Sequence, residues 1–161
     1  MAKKTAYMGM LTALAFLFSY IESLIPITLG VPGVKLGLAN LVVIVTLYTM
    51  GIKAAAALSL VRVVLAGFTF GNPAGMIYSL AGGILSLLVM ALAKKSNLFS
   101  ITGISILGGV SHNAGQILAA ILVVENMNLV YYLPVLVVSG TVAGTLIGIL
   151  SALLIKRIPP I

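Results

Sequence analysis

Residues 73–95 read PAGMIYSLAGGILSLLVMALAKK, and this stretch decides the fold. Residues 73–93 carry no charged side chain, and two lysines close the stretch. An apolar run of about 20 residues is long enough to cross the hydrocarbon core of a bilayer as an α-helix. The sequence therefore predicts a transmembrane helix over residues 73–93, with Lys94 and Lys95 at a membrane surface.

The same pattern recurs along the rest of the 161-residue chain, which is 61% hydrophobic and 7% charged. Soluble domains carry roughly 25% charged residues, so most of this chain does not face water. Glycine, proline and asparagine clusters separate the apolar runs and mark loops. We predict an all-α integral membrane protein, a single domain over residues 1–161 that forms a compact bundle of six transmembrane helices. The predicted helices cover residues 4–24, 34–50, 52–68, 73–93, 103–124 and 129–155.

The basic residues predict the orientation of this bundle. With the N-terminus inside, the inner helix ends hold most of the positive charge, whereas the outer side holds one lysine, Lys35, together with Glu22 and Glu125. This asymmetry follows the positive-inside rule. We therefore expect a multi-pass protein of the plasma membrane with both termini in the cytoplasm. The inner basic residues are Lys3, Lys4, Lys53, Lys94, Lys95, Lys156 and Arg157.

Composition excludes several chemistries. The chain has no cysteine and no aspartate, and it has one histidine and two glutamates. We therefore expect no disulfide, no metal site, no paired-carboxylate catalysis and no bound cofactor. The net charge of +7 comes from residues at helix ends, and no base-reading motif accompanies it, so we expect no nucleic-acid partner.

Strongly polar side chains within the predicted helices lie at the membrane midplane or outward of it. Arg62 lies roughly 15 Å from the inner end of its helix, at 1.5 Å per residue, and His112 lies at a similar depth. Ionisable groups at such depths usually face a cavity or a partner. We predict a ligand pocket open to the outside, in which Arg62 and Lys35 supply positive charge. The predicted hydrogen-bonding or stacking residues are Asn40, Tyr78, His112, Asn113 and Gln116.

Structural roles for the same residues stay open from the sequence alone. Arg62 could pair with Glu22 or cap helix carbonyls, and His112 with Gln116 could join two helices. Small residues at four-residue spacing allow helix backbones to approach closely in lipid. They form ridges at Thr5/Gly9/Ala13, at Ser111/Gly115/Ala119 and at Gly140/Gly144/Gly148/Ala152. Internal packing is the simplest explanation for the last two ridges, whereas the first is a candidate surface for a partner subunit.

Two segments carry a resemblance to a known family. Residues 32–40 read PGVKLGLAN, and residues 108–116 read GGVSHNAGQ. Together with YSLAGG at 78–83 and YYLP at 131–134, they resemble the Gx transporter family, which is often labelled heptaprenyl diphosphate synthase component I. That family is similar to the substrate-binding S components of energy-coupling factor transporters. The resemblance implies a six-helix subunit that binds a vitamin-like molecule from outside and works with a coupling membrane subunit and two cytoplasmic ATPases. It also implies that Thr5, Gly9 and Ala13 dock the coupling subunit.

The enzyme label does not fit the residues. Prenyl diphosphate synthases hold their substrate through Mg²⁺ on aspartate-rich motifs, because Mg²⁺ requires hard oxygen ligands. This chain has no aspartate and no phosphate-binding ATPase loop, so we expect no enzyme activity from it alone. Two alternatives to uptake are a membrane component of a flavin- or quinone-linked extracellular electron-transfer system, and an accessory of polyprenyl or quinone biosynthesis. Flavin, another vitamin and an isoprenoid phosphate all remain candidate ligands.

Overall fold

The computed structural model describes residues 2–25 and 37–158, and this part of the chain consists of helices joined by short turns, with no β-strand among these residues. The described α-helices are α1 (Ala2–Leu24), α2 (Leu38–Thr49), α3 (Ile52–Thr69), α4 (Pro73–Ser96), α5 (Ile101–Val124) and α6 (Leu133–Ile155). All of them except α2 are long and apolar enough to cross a membrane. The protein is therefore a multi-pass, all-α membrane protein, as predicted.

Local capping explains where these helices begin. The Asn72 side chain accepts a hydrogen bond from the Gly75 amide at 2.7 Å, and Pro73 occupies the first turn of α4. Ser100 caps α5 in the same way, by accepting from the Gly103 amide at 3.1 Å. Each side chain satisfies an amide that the first helical turn leaves without a partner.

The start of the last helix differs from the prediction. Residues Met127–Tyr132 form a 3₁₀-helix, and the α-helix begins at Leu133 rather than at residue 129. Asn126 accepts a hydrogen bond from the Asn128 amide at 3.0 Å, which favours a tight turn there. Pro134 lies in the first turn of α6. Backbone N–H groups in this turn have no partner within the helix, so the missing N–H of proline costs no hydrogen bond.

The short helix α2 lies in the middle of the bundle. Nine of its 12 residues are buried, among them Val42, Ile44 and Leu47, which are each 1% exposed. A helix buried on nearly all sides has no amphipathic pattern, and this explains the continuous apolar run in its sequence. Its predicted start at Val34 lies outside the described residues. Helices α1, α3 and α6 pack against α2.

Helices α4, α5 and α6 pack with their backbones in contact. A Cβ atom at Gly109 would lie 2.5 Å from the Gly140 carbonyl oxygen, and one at Gly144 would lie 2.7 Å from the Ile106 Cα. A Cβ at Gly115 would lie 2.9 Å from the Ala81 carbonyl oxygen. Gly109, Gly115 and Gly144 therefore serve internal packing, because a side chain at any of them would overlap the backbone of the neighbouring helix.

Helix α1 makes aromatic contacts with the residue that follows α3. Phe16 and Tyr20 each place a ring 5.6 Å from the ring of Phe70 at the end of α3. Towards the N-terminus the two helices border an open groove of ≈ 760 Å³, and a Cβ at Gly9 would have no described atom within 4 Å. The predicted docking residues Thr5, Gly9 and Ala13 all line this groove.

Candidate ligand-binding cavity

A single cavity brings together residues that are far apart in the sequence. It has a volume of ≈ 50 Å³ and lies among α2, α3, α4, α5 and α6, with Glu22 of α1 at its edge. Five of the seven predicted binding residues line it: Asn40, Arg62, His112, Asn113 and Gln116. Polar residues that lie on different helices of the sequence therefore line the same cavity.

The helical period of α5 explains its contribution to this cavity. Ser105, Gly108, His112 and Gln116 follow one another at intervals of three or four residues, so they lie on one face of the helix. Helix α4 packs closely against α5 at this level, since a Cβ at Gly82 would lie 2.6 Å from the His112 carbonyl oxygen. Because Gly82 has no side chain, the side chains of His112 and Gln116 fit beside α4 without a steric clash.

Arg62 is the charged group of the cavity. One of its terminal nitrogens, Nη1, donates to the Ser19 hydroxyl at 3.3 Å, which ties α3 to α1. Its Nε is buried and has no hydrogen-bond partner among residues 2–25 and 37–158. A buried charge is costly unless it is paired and hydrogen-bonded. The guanidinium thus retains capacity to bind an acceptor.

Glu22 is the acidic neighbour of Arg62. The two side chains line the same cavity, and the Glu22 carboxylate attracts the guanidinium electrostatically. Its oxygen Oε1 accepts a hydrogen bond from the Gly37 amide, immediately before α2. Gly37 has a φ of 76°, a left-handed conformation that glycine adopts without a steric penalty. The Glu22 carboxylate therefore interacts both with Arg62 and with the backbone at the start of α2.

Asn113 makes contacts with helix α6. Its side-chain nitrogen donates to the Leu136 carbonyl oxygen at 2.7 Å and lies 3.4 Å from the Ser139 hydroxyl. These bonds join α5 to α6 beside the cavity. The side-chain nitrogen of Asn113 therefore has a structural role, because it holds α5 against α6.

A second cavity adjoins the first on the side of α1 and α3. It has a volume of ≈ 190 Å³, and Glu22, Arg62 and Ser79 line both cavities. Its other walls include Phe70 and Asn72, which lie at the outer end of α3 and in the loop that follows. Arg62 therefore stands between a small central cavity and a larger one that reaches towards the predicted outer surface.

One predicted residue, Tyr78, does not line the central cavity. Tyr78 lines a separate cavity of ≈ 140 Å³ together with Tyr132 and Leu136, and among the described residues Gln116 borders both spaces. Tyr78 lies on a face of α4 different from that of Ser79, because consecutive helical residues point about 100° apart. The predicted contribution of Lys35 lies outside the described residues.

The cavity also includes three serines that the sequence reasoning did not select: Ser79, Ser86 and Ser105. Ser105 is 2% exposed, and its hydroxyl oxygen has no hydrogen-bond partner within the described part of the chain. It lies near the inner end of α5, so the cavity extends deeper than the predicted outer pocket. The helical spacing of Ser105 from His112 was the available signal, but serine is common in membrane helices as packing material.

The described residues contain no group of three or more histidine, cysteine, aspartate or glutamate side chains that could hold a metal ion. The polar residues that line the cavity are instead the cation Arg62, the carboxylate Glu22 and several amide, hydroxyl and imidazole side chains. Of these groups, a guanidinium binds carboxylate and phosphate oxygens strongly.

Comparison with known proteins gives a match to a protein family. No curated protein and no solved structure matches the chain. The model of the family described as heptaprenyl diphosphate synthase component I matches residues 11–154. That range includes every described residue of the central cavity. The chain therefore belongs to the heptaprenyl diphosphate synthase component I family.

Proposed function

We propose that this protein is a membrane-embedded binding subunit that takes up a small organic anion from outside the cell. The observation that carries the proposal is the convergence of Arg62, Asn40, His112 and Gln116 on one cavity. In a lipid-facing protein such a concentration of polar groups is expensive, and it is typical of a substrate site. The cavity of ≈ 190 Å³ that Arg62 also lines would be the path by which the ligand enters from the predicted outer side.

The bonding of Arg62 favours an anionic ligand. Its guanidinium has five N–H donors, and its Nε has no partner in the described part of the chain. Glu22 balances the charge of Arg62 only in part, because its carboxylate also binds the Gly37 amide. A carboxylate or phosphate oxygen of the ligand would complete the pairing. The cavity volumes of ≈ 50 and ≈ 190 Å³ favour a compact molecule or a compact anionic end of a larger one.

The proposed uptake needs energy from partner subunits, since the sequence has no phosphate-binding ATPase loop. The proposed partners are a coupling membrane subunit and cytoplasmic ATPases in the plasma membrane, as the resemblance of the sequence to energy-coupling factor S components implies. The groove between α1 and α3 supports this choice, because Thr5, Gly9 and Ala13 face it and the space beside Gly9 is open. Small residues let a partner helix approach closely in lipid.

The test is ligand retention by the purified protein. The protein is purified in mild detergent, and small molecules released on denaturation are identified by mass spectrometry. The variant Arg62→Gln should lose the retained anion, with an affinity at least about tenfold lower, because a charge-assisted hydrogen bond contributes about 1.5–3 kcal/mol. Arg157→Gln, which changes an arginine after the last helix, is the matched control and should keep the ligand.

Outcomes that contradict the proposal are equally concrete. If Arg62→Gln binds the same molecule with unchanged affinity but unfolds at a lower temperature, Arg62 is structural. If the purified protein retains a quinone, or a flavin that is reduced and reoxidised while it stays bound, the electron-transfer alternative replaces uptake.

The family description favours one second candidate, an accessory role in polyprenyl diphosphate synthesis. In that role Arg62 would bind a prenyl diphosphate while another subunit supplies the metal and the catalysis. Titration of the purified chain with a short prenyl diphosphate distinguishes the two. Tight binding that Arg62→Gln abolishes, without retention of any imported molecule, would favour the accessory role.

A further inference from the structure

A second groove with different chemistry lies at the basic end of the bundle. It has a volume of ≈ 500 Å³ and lies between the α2–α3 turn and the last turns of α4. Its wall is apolar: Ile52, Leu88 and Leu92 line it and are 45%, 54% and 68% exposed. Lys94 and Lys95 line the same groove at its end. The groove is thus amphipathic, with a long apolar part and a cationic end.

The ammonium group of Lys94 is held in place at this groove. It donates to the Leu47 carbonyl oxygen at 2.7 Å, and it lies 4.4 Å from the centre of the Tyr48 ring. An ammonium group has three protons, so this arrangement leaves others for a further acceptor. Lys95 follows on the next position of α4 and is exposed. Two cations, of which Lys94 is hydrogen-bonded and Lys95 is exposed, therefore border the same space.

We propose that this groove binds an anionic diacyl phospholipid of the predicted cytoplasmic leaflet. Its phosphate would lie between Lys94 and Lys95, and an acyl chain would follow Ile52, Leu88 and Leu92. Charge complementarity selects this occupant, because basic pockets between helices on the cytoplasmic side attract anionic headgroups while the hydrocarbon part accepts acyl chains. The groove between α1 and α3 differs, since Lys4 is the one basic residue among those that line it. This site does not depend on the proposed uptake function.

The proposal is tested by native mass spectrometry of the detergent-purified protein titrated with phosphatidylglycerol or phosphatidylcholine. Phosphatidylglycerol should bind with defined stoichiometry and more tightly than phosphatidylcholine. Lys95→Gln should weaken phosphatidylglycerol binding about fivefold, the effect expected for one lysine near an anionic lipid. The matched control Lys156→Gln removes the same charge at the end of α6, outside this groove, and should leave the affinity unchanged.

A steric variant tests the apolar part of the groove separately. Ala91 lines the groove, so Ala91→Phe should fill it and reduce binding while the lysines stay in place. Equal weakening by Lys156→Gln and Lys95→Gln would overturn the proposal, as would equal binding of the two lipids. Displacement of the lipid by inorganic phosphate would also overturn it, since the acyl chain would then contribute nothing. If Ala91→Phe does not fold, the Lys95/Lys156 pair still decides the question.

Discussion

Two faces of this protein carry the same small-residue spacing but have opposite surroundings. On α6, Gly140 and Gly144 lie against the backbone of α5, where an added Cβ would come within 3 Å of main-chain atoms. On α1, Gly9 has open space on the corresponding side and borders a groove of ≈ 760 Å³. Four-residue spacing of small residues therefore gives a helix the capacity for close approach, and the tertiary structure decides whether the partner lies within the chain.

Helices α4, α5 and α6 are held together by contacts of a different kind from those that hold α1. Helices α4, α5 and α6 have backbone contacts through glycines and a side-chain bond from Asn113 to Leu136. Helix α1 is joined to α3 through rings near Phe70 and through the Arg62–Ser19 bond. The central cavity lies among α2, α3, α4, α5 and α6, with Arg62 of α3 and His112 of α5 on its walls and Glu22 of α1 at its edge.

The largest effect is expected from Gly144→Leu. The new side chain would begin 2.7 Å from the Ile106 Cα, so α5 and α6 would have to separate. We expect a loss of about 3 kcal/mol or more in the free energy of unfolding, since overpacking against backbone cannot relax by a rotamer change. Thermal unfolding in detergent and the yield of monodisperse protein measure this. Wild-type-like stability would show that α5 and α6 do not pack through Gly144.

A smaller and more local effect is expected from Gly82→Ala. Its Cβ would lie 2.6 Å from the His112 carbonyl oxygen and 2.8 Å from the Gln116 Cγ. We expect destabilisation of about 1–2 kcal/mol together with weaker ligand binding, because the shift of α5 displaces two cavity residues. The adjacent Gly83→Ala is the matched control, since its Cβ would meet only the Ser59 hydroxyl at 3.3 Å. Similar effects from both variants would contradict the assigned α4–α5 contact.

The smallest effect on stability is expected from Gly9→Leu, the same substitution as in the first variant. The free energy of unfolding should change by less than about 0.5 kcal/mol, because the side chain enters open space. Co-purification with the proposed coupling subunit should nevertheless fail, since the groove is filled. Val138→Leu on the exposed face of α6 is the control and should leave the complex intact. Retention of the complex by Gly9→Leu would refute the docking role of this ridge.

Much of the architecture could be predicted from the sequence because hydrophobicity acts locally along the chain. Uninterrupted apolar runs predicted the membrane helices, and the end of α4 beside Lys94 and Lys95 was placed within a few residues. The polar residues Asn40, Arg62 and His112 were selected because charges and amides in a bilayer are costly wherever they occur. These inferences need no knowledge of which helices touch.

The tertiary structure alone decided which faces meet. A one-residue step rotates a side chain by about 100° around a helix, so Ser79 lies in the central cavity while Tyr78 lines another. The same geometry buries Ser105 beside the cavity and gives α2 its central position. Sequence spacing determined that three helices of this protein, α1, α5 and α6, can approach another backbone closely. The packing of all helices together determined that α6 finds that backbone in α5, while the face of α1 beside Gly9 remains open.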